Sequence, residues 1–331
     1  MSTSNDNPEK TILAVLLKDE SAWVSGPTLA KKLKLSRVAV WKHMQKLSAQ
    51  GFEFESRRSL GYRISKKPNQ LNTKLIELYL KTKPTDFSFD VLDEIDSTND
   101  EAARQLAQGR RAPFALFART QTKGRGRFGR TWHSKSENNI YVSFGFRPMV
   151  SPDKMHTFTL WMGVNICDLI ATLTKTSPQI KWPNDIVFGS KKAGGILTEA
   201  RVDADQIRDL VFGLGVNANK PAEGWPSEIA DRAISLSEAS GAPVDLNQLA
   251  AALSDRITKA YLEFGDGSHL DTFADLWNKY DLLRGKKVAL LEADRRIPGT
   301  VLGIDDQGAL LLKDSSGKTQ RFRAGEVTIE K

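Results

Sequence analysis

Residues 114–146 read FALFARTQTKGRGRFGRTWHSKSENNIYVSFGF. The apolar ends, Phe114–Thr120 and Asn139–Phe146, have the pattern of strands. Between them Gly124, Gly126 and Gly129 alternate with Arg125, Arg127 and Arg130, and the run ends in Trp132. Glycines let backbone amides approach an anion and reach positive φ. Guanidinium forks suit phosphate and carboxylate oxygens. A Gly-x-Gly-x-x-Gly fingerprint for dinucleotides requires a helix next; here a strand follows, and no Walker A sequence is present. On its own the run fits an anion-binding loop of an enzyme or a basic RNA-binding loop. Around it the periodicity predicts a strand at Phe87–Ile95 and a helix at Ser97–Gln108, capped by Ser97 or Thr98. A helix follows at Asp153–Thr174, then β segments near 179–182, 186–188, 194–202 and 206–216, and helices at 245–264 and 269–282. Strands joined by short turns make a largely antiparallel or mixed sheet rather than a doubly wound one, so the fold class is α+β.

With 331 residues the chain exceeds what one core normally holds, and two or three domains are expected. Forty per cent hydrophobic and 27% charged residues exclude a disordered chain. The apolar stretch Thr157–Leu173 is broken by Asn165 and Asp168, which argues against a transmembrane helix. MSTSNDNPEK has no basic start followed by an apolar run, so no secretory signal is expected. A single cysteine, Cys167, excludes an intrachain disulfide and a four-cysteine zinc site, and four scattered histidines do not suggest a metal cluster. A cytoplasmic protein is expected. The net charge of +8 is uneven: residues 1–70 hold 13 Lys/Arg and 6 Asp/Glu. Such asymmetry fits either a nucleic-acid-binding module or a solvated basic face.

The first 65 residues read as a winged helix-turn-helix. A short amphipathic helix spans 10–18, Ser25 caps a second, and Ser36 caps a third that runs to about Ala49. Val40, Met44 and Leu47 form the inner stripe of the third helix. Val38, Trp41, Lys42 and Gln45 lie opposite, with Arg37 at the flank, which suits a recognition helix. Residues 52–64 read as two short strands around a turn, with Arg57, Arg58 and Arg63 on or near the tip, a wing for the phosphate backbone. A protein-interaction winged helix has the same pattern. Lys66–Thr73 reads as a polar linker.

Three further motifs follow. Lys181-Trp182-Pro183-Asn184-Asp185 places a carboxylate and an amide where a hard cation could bind, or is simply a turn. Lys192-Ala193-Gly194-Gly195-Ile196-Leu197-Thr198-Glu199 puts a lysine at a strand start, aimed at an anion or at solvent. Gly213-Leu214-Gly215-Val216-Asn217 has alternate glycines that open one strand face for a flat ligand, or is a plain packing strand. Residues 284–331 are β-rich, with strands near 287–291, 297–304, 309–313 and 319–322, in an SH3-like or OB-like pattern.

The four central motifs in this order, with Asp96-Ser97-Thr98-Asn99, Gln121-Thr122 and the winged module, resemble the biotin–protein ligase family, in particular the bacterial ligases that double as biotin-operon repressors. The resemblance covers almost the whole chain. It implies a winged helix at 1–65, a linker at 66–73, a mixed-sheet biotinyl/lipoyl-ligase-like (class II synthetase-like) catalytic domain at 74–283 and a small SH3-like β-barrel at 284–331. It implies that Ser97, Thr98, Asn99, Gln121, Gly124, Arg125, Arg127, Lys192, Gly195 and Gly213 bind biotin. Trp132, Asn184, Asn217 and Trp225 would lie against ATP and the adenylate. Arg125, Arg127, Lys192 and Asp185 would carry the chemistry, Asp185 would hold Mg²⁺, and Ser36, Arg37, Trp41, Lys42, Gln45, Arg57 and Arg58 would meet DNA. Implied partners are the biotin carboxyl carrier protein of acetyl-CoA carboxylase, the operator of biotin-synthesis genes and, with adenylate bound, a second copy; no membrane is implied. The chain departs from the family at Ala193-Gly194, where Leu-Ala is common, and at Phe128, where a charge is common. A sensor without turnover, a ligase whose winged helix binds no operator, and a lipoate ligase are the alternatives.

Overall fold

A computed structural model of the chain describes residues 7–81, 87–292 and 295–330. The start of the N-terminal stretch read above for a secretory signal lies outside the described residues. Two compact units are present, Met1–Tyr79 and Leu80–Lys331.

In the first unit, α1 (Pro8–Leu16) begins two residues earlier than the apolar pattern suggests, because Asn7 caps it by accepting from Glu9 N at 3.1 Å. Ser25 caps α2 (Gly26–Leu33) and Ser36 caps α3 (Arg37–Ser48). Lys34 turns the chain between them at φ 55. The wing pairs β1 (Glu53–Arg57) with β2 (Gly61–Lys66). Ile12, Leu13, Leu16, Leu29, Val40, Met44, Leu47 and Phe52 form the core. The stretch expected as a linker, 66–73, has no helix or strand at 67–72 but lies within the first unit. β2 runs to Lys66, Leu71 is buried, and Asn72 starts α4 (Thr73–Tyr79) by accepting from Lys74 N and Leu75 N. Leu75 is fully buried in the same core as Ile12 and Val40, so this unit reaches Tyr79 rather than ending at 65. The polar letters of 66–73 conceal this, since one leucine per turn suffices to dock so short a helix.

The second unit is built on a seven-stranded mixed sheet. β3 (Ser88–Ile95) crosses through α5 (Thr98–Ala107) to the parallel strand β4 (Phe114–Gln121). The remaining pairs are antiparallel: β5 (Ile140–Phe146) follows, then, after α6 (Phe158–Thr174), come β6 (Gln179–Lys181), β7 (Asp185–Phe188), β8 (Lys191–Asp203) and β9 (Gln206–Val216). The spatial order is β3-β4-β5-β9-β8-β7-β6. Every residue of β5 is buried, which explains its unbroken apolar run. Length and composition alone would let Pro152–Thr174 cross a membrane, but 61% of its most apolar window is buried in this unit. Asn165 bonds the backbone of Trp161, and Asp168 meets Arg256 and Tyr280, both at 2.9 Å. The helix proper starts only at Phe158, after a 3₁₀ turn at Pro152–Met155.

α7 (Leu236–Ser240), α8 (Leu246–Asp266) and α9 (Leu270–Tyr280) complete this part. A second, five-stranded antiparallel sheet follows: β10 (Lys287–Glu292), β11 (Arg295–Ile304), β12 (Leu310–Lys313), β13 (Thr319–Phe322) and β14 (Glu326–Ile329), in the order β13-β12-β11-β10-β14. α7 and β14 carry too few periodic residues to be read from sequence. The two sheets are joined: Trp182 Nε1 donates to Gly308 O at 3.1 Å, and Arg130 donates to Glu326 on β14.

Because Leu75 is a core residue, Leu75→Ala is expected to lower the stability of the first unit by about 2–5 kcal/mol in chemical denaturation. An unchanged midpoint would make α4 a passive connector.

Candidate functional site

Glycine spacing on two neighbouring strands builds the floor of a cavity of about 350 Å³ in the second unit. Gly213 and Gly215 on β9 and Gly195 on β8 share its lining. A Cβ on Gly215 would run into the Trp132 indole, and one on Gly213 into the Asn99 amide, both closer than real Cβ contacts come. A Cβ on Gly195 would lie 3.1 Å from the same indole and 3.2 Å from the Lys192 side chain. The glycines therefore open the strand face first to three of the protein's own side chains, Trp132, Asn99 and Lys192, not directly to a flat ligand. Trp132 Nε1 is buried there without a hydrogen-bond acceptor.

One wall is a neutral network at the start of α5. Gln121 Oε1 accepts from Thr98 N at 2.8 Å and from Thr98 Oγ1 at 3.1 Å. Its Nε2 donates to Ser134 Oγ at 2.9 Å. Ser143 Oγ lies 2.8 Å from Thr98 Oγ1 and 2.6 Å from Asn99 Oδ1. Ser143 was not anticipated; its signal is that it is the one hydroxyl besides Tyr141 in the apolar strand IYVSFGF. Gly124 has no room for a Cβ against Ser134 and the Trp132 carbonyl. Ser97 caps α5 through Asp100 N. Asp96 accepts from Ser97 N at 2.7 Å and from both ends of the Arg104 guanidinium, and that guanidinium holds its carboxyl down at about 2.

The same cavity is lined by cations, and most of their charges are already paired. Arg125 sits 2.8 Å from Asp100 and 2.6 Å from Glu199. Lys192 Nζ lies 2.6 Å from Asp185 and 5.3 Å from the Trp132 ring centre. Arg127 donates to Asn184 Oδ1 at 3.2 Å; burial biases it toward the neutral form, against the pull of Asp185, but an arginine remains a cation. Arg130 hydrogen-bonds Glu326 at 2.9 Å and holds that carboxyl below its ordinary range. Glu199, Asp100 and Glu326 were not singled out as site residues. Glu199 stands in a quoted motif, but its partner is 74 residues away, and Glu326 is 196 residues from Arg130.

The loop itself is a narrow turn. Arg125 bridges Thr131, and Gly126 N donates to Arg130 O at 2.7 Å. Phe128 sits in the left-handed region at φ 56 and is 69% exposed. The Ala193-Gly194 departure does not leave Lys192 loose. Its N–H donates to Arg232 O at 2.7 Å, and its carbonyl accepts from Ile234 N and from the Asn217 amide. Trp225 lines the cavity and donates to Glu238 at 3.2 Å. Among the described residues no group of three or more His, Cys, Asp or Glu could hold a metal ion; Asp185 faces the cavity beside Asn184.

In the first unit Ser36, Arg37, Trp41, Lys42 and Gln45 are exposed on α3, and Arg57 and Arg58 are exposed at the wing. Trp23 holds Arg57 at 5.1 Å and Arg63 at 4.9 Å from its ring centre, and Arg63 also pairs with Glu55 at 2.7 Å.

Three family profiles match the chain. The Biotin/lipoate A/B protein ligase family matches residues 91–217, an HTH domain residues 9–63, and the Biotin protein ligase C terminal domain residues 284–329. A bifunctional ligase/repressor BirA of Bacillus spizizenii is 34% identical over 95% of this chain and 97% of its own length. That of Escherichia coli is 32% identical over 96% of each. A biotin protein ligase from Aquifex aeolicus, solved in complex with biotin and ATP, superposes with a TM-score of 0.62 at 30% identity, covering 73% of this chain and 98% of that one.

Two expectations follow from the geometry. Gly215→Ala should lower stability by about 1–3 kcal/mol in thermal or chemical unfolding, because the Trp132 ring has to move. Gly126→Ala, whose Cβ would find its nearest neighbour at 3.5 Å, should be nearly neutral. Asp96 is lowered from 3.8 to about 2, so its pairing stabilises the fold fully above about pH 4 and is lost as pH falls toward 2. Asp96→Asn should flatten the acid limb of the stability curve in that window.

Proposed function

The chain belongs to the biotin/lipoate A/B protein ligase family, among its bifunctional ligase/repressor members, and we propose that it activates biotin with ATP, transfers it to a protein lysine and represses transcription. The observation that carries the enzymatic part is one cavity lined both by a neutral donor–acceptor wall at Thr98 and Gln121 and by the cations Arg125, Arg127 and Lys192. A neutral, hydrogen-bonding ring such as the biotin ureido group suits the neutral wall, and anions suit the cations.

A carboxylate does not acylate an amine. Its oxygen must first attack the α-phosphorus of ATP, forming biotinyl-5′-AMP and expelling pyrophosphate. The lysine amine of the acceptor then attacks the acyl carbon, and AMP leaves with the anhydride oxygen. Two anions have to meet in the first step. Arg125, Arg127 and Lys192 offset their repulsion and stabilise charge developing on the phosphate oxygens. Asp100 and Glu199 hold Arg125, and Asp185 holds Lys192; incoming carboxylate and phosphate would take their places.

Ser97, Thr98, Asn99, Gln121, Gly124, Gly195 and Gly213 are assigned to biotin, and Trp132, Asn184, Asn217 and Trp225 to the adenylate. The buried Trp132 N–H, lacking an acceptor, supports a polar ligand atom beside it. Asn217 and Asn184 also bond strand backbone, Asn184 at 2.8 Å to Ile196 O, which fixes their orientation. The Gly124–Arg130 loop has to exclude water once the anhydride exists. Mg²⁺ commonly takes one or two carboxylates plus substrate phosphates, and Asp185 with Asn184 supplies such oxygen donors. Bound there, the ion would supply further neutralisation of phosphate charge.

The acceptor is a biotin carboxyl carrier protein. The winged unit takes the operator of biotin-synthesis genes, with adenylate favouring a homodimer that matches a two-fold operator. The cytoplasm is the compartment for both tasks.

Pyrophosphate exchange into ATP should require biotin and not respond to lipoate or octanoate. Lys192→Ala should reduce the exchange rate by roughly 10²–10³, the loss typical of an electrostatic stabiliser. Biotin-independent exchange, or an unimpaired variant, would overturn the assignment.

A further inference from the structure

The outer face of α3 is chemically mixed. Val38 is 65% exposed and Trp41 53% exposed, three residues apart on the face that also carries Lys42 and Gln45. Val40, Met44 and Leu47 already fill the inner stripe, so neither outer side chain is needed by the core. From Ser21 to Phe52 the sequence holds six Lys/Arg and no acidic residue. That charge suits a polyanion and disfavours an ordinary apolar protein partner, whose rim would have to be acidic throughout. Arg57 and Arg58 extend the basic surface to the wing.

A polyanionic duplex offers little to a valine. Phosphates and sugars are polar, and the base edges of the major groove show donors, acceptors and one apolar group, the 5-methyl of thymine. The first residues of a recognition helix are the ones that reach base edges. Val38 is the second residue of α3, and Trp41 stands one turn further on. We infer that Val38, backed by Trp41, reads a thymine methyl in each half-site, so that this chain's operator recognition depends on methyl groups and not only on hydrogen bonds. The inference rests on the repressor reading above and adds the base that the helix selects.

The test uses the full chain with biotin and ATP. Duplexes are selected from a randomised library, and the best is remade with deoxyuridine at every thymidine, which removes methyl groups and nothing else. The wild-type chain should bind the uracil duplex at least about fourfold more weakly, the value for one buried methyl-sized group. Val38→Ala should bind the thymine duplex more weakly and lose most of the discrimination. Equal wild-type affinity for both duplexes would overturn the inference while leaving operator binding intact. Discrimination undiminished in both Val38→Ala and Trp41→Ala would overturn it as well. Recovery of no duplex would overturn the repressor reading, and this inference with it.

Discussion

The indole of Trp132 lies on the bare Cα of Gly215, closer than any side chain at that position would permit. Much of the site is arranged around this contact. The ring carries Lys192 over its face, and the Trp132 backbone carbonyl accepts from the Ser134 hydroxyl that orients Gln121. Gln121 in turn fixes the Thr98 end of α5. A packing detail of a strand thus sets both the cationic and the neutral wall. It does so in the middle of the sheet, where β9 pairs with β5 on one side and β8 on the other.

The second constraint is electrostatic. Arg125, Arg127, Arg130, Lys181, Lys192 and Arg232 line one cavity and would repel one another if left bare. Asp100, Glu199 and Asp185 offset that repulsion, and Glu326 does the same for Arg130 at the rim. These pairs are partly exposed, so each contributes little to stability and separates at small cost. That is the property an anion-binding site needs: carboxylates strong enough to hold the side chains in place, weak enough to yield to substrate.

The sequence was most informative where local chemistry acts alone. Ser25 and Ser36 cap the helices they were expected to cap, and Val40, Met44 and Leu47 face inward. The α+β class was legible because a strand, not a helix, follows the glycine–arginine loop. What stayed hidden depends on distant partners. Nothing near Glu326 marks it as the acceptor for Arg130, and Leu75 looks like any leucine after a polar stretch until the core of α1 and α3 closes over it. The glycines of β9 were visible, but their use as seats for Trp132 and Asn99 was not, because those side chains arrive from other elements.

Glu326 comes 196 residues after Arg130, on a strand that pairs with β10. Chains emerge from the ribosome N-terminus first, at about 5–20 residues per second, and fold domain by domain. The winged unit is complete at Tyr79, so at that pace it can be folded for tens of seconds before the partner of Arg130 has been translated. A nascent chain therefore acquires the winged unit early and the carboxylate that holds Arg130 much later. A translation product cut off between Tyr79 and Glu326 would keep the first without the second.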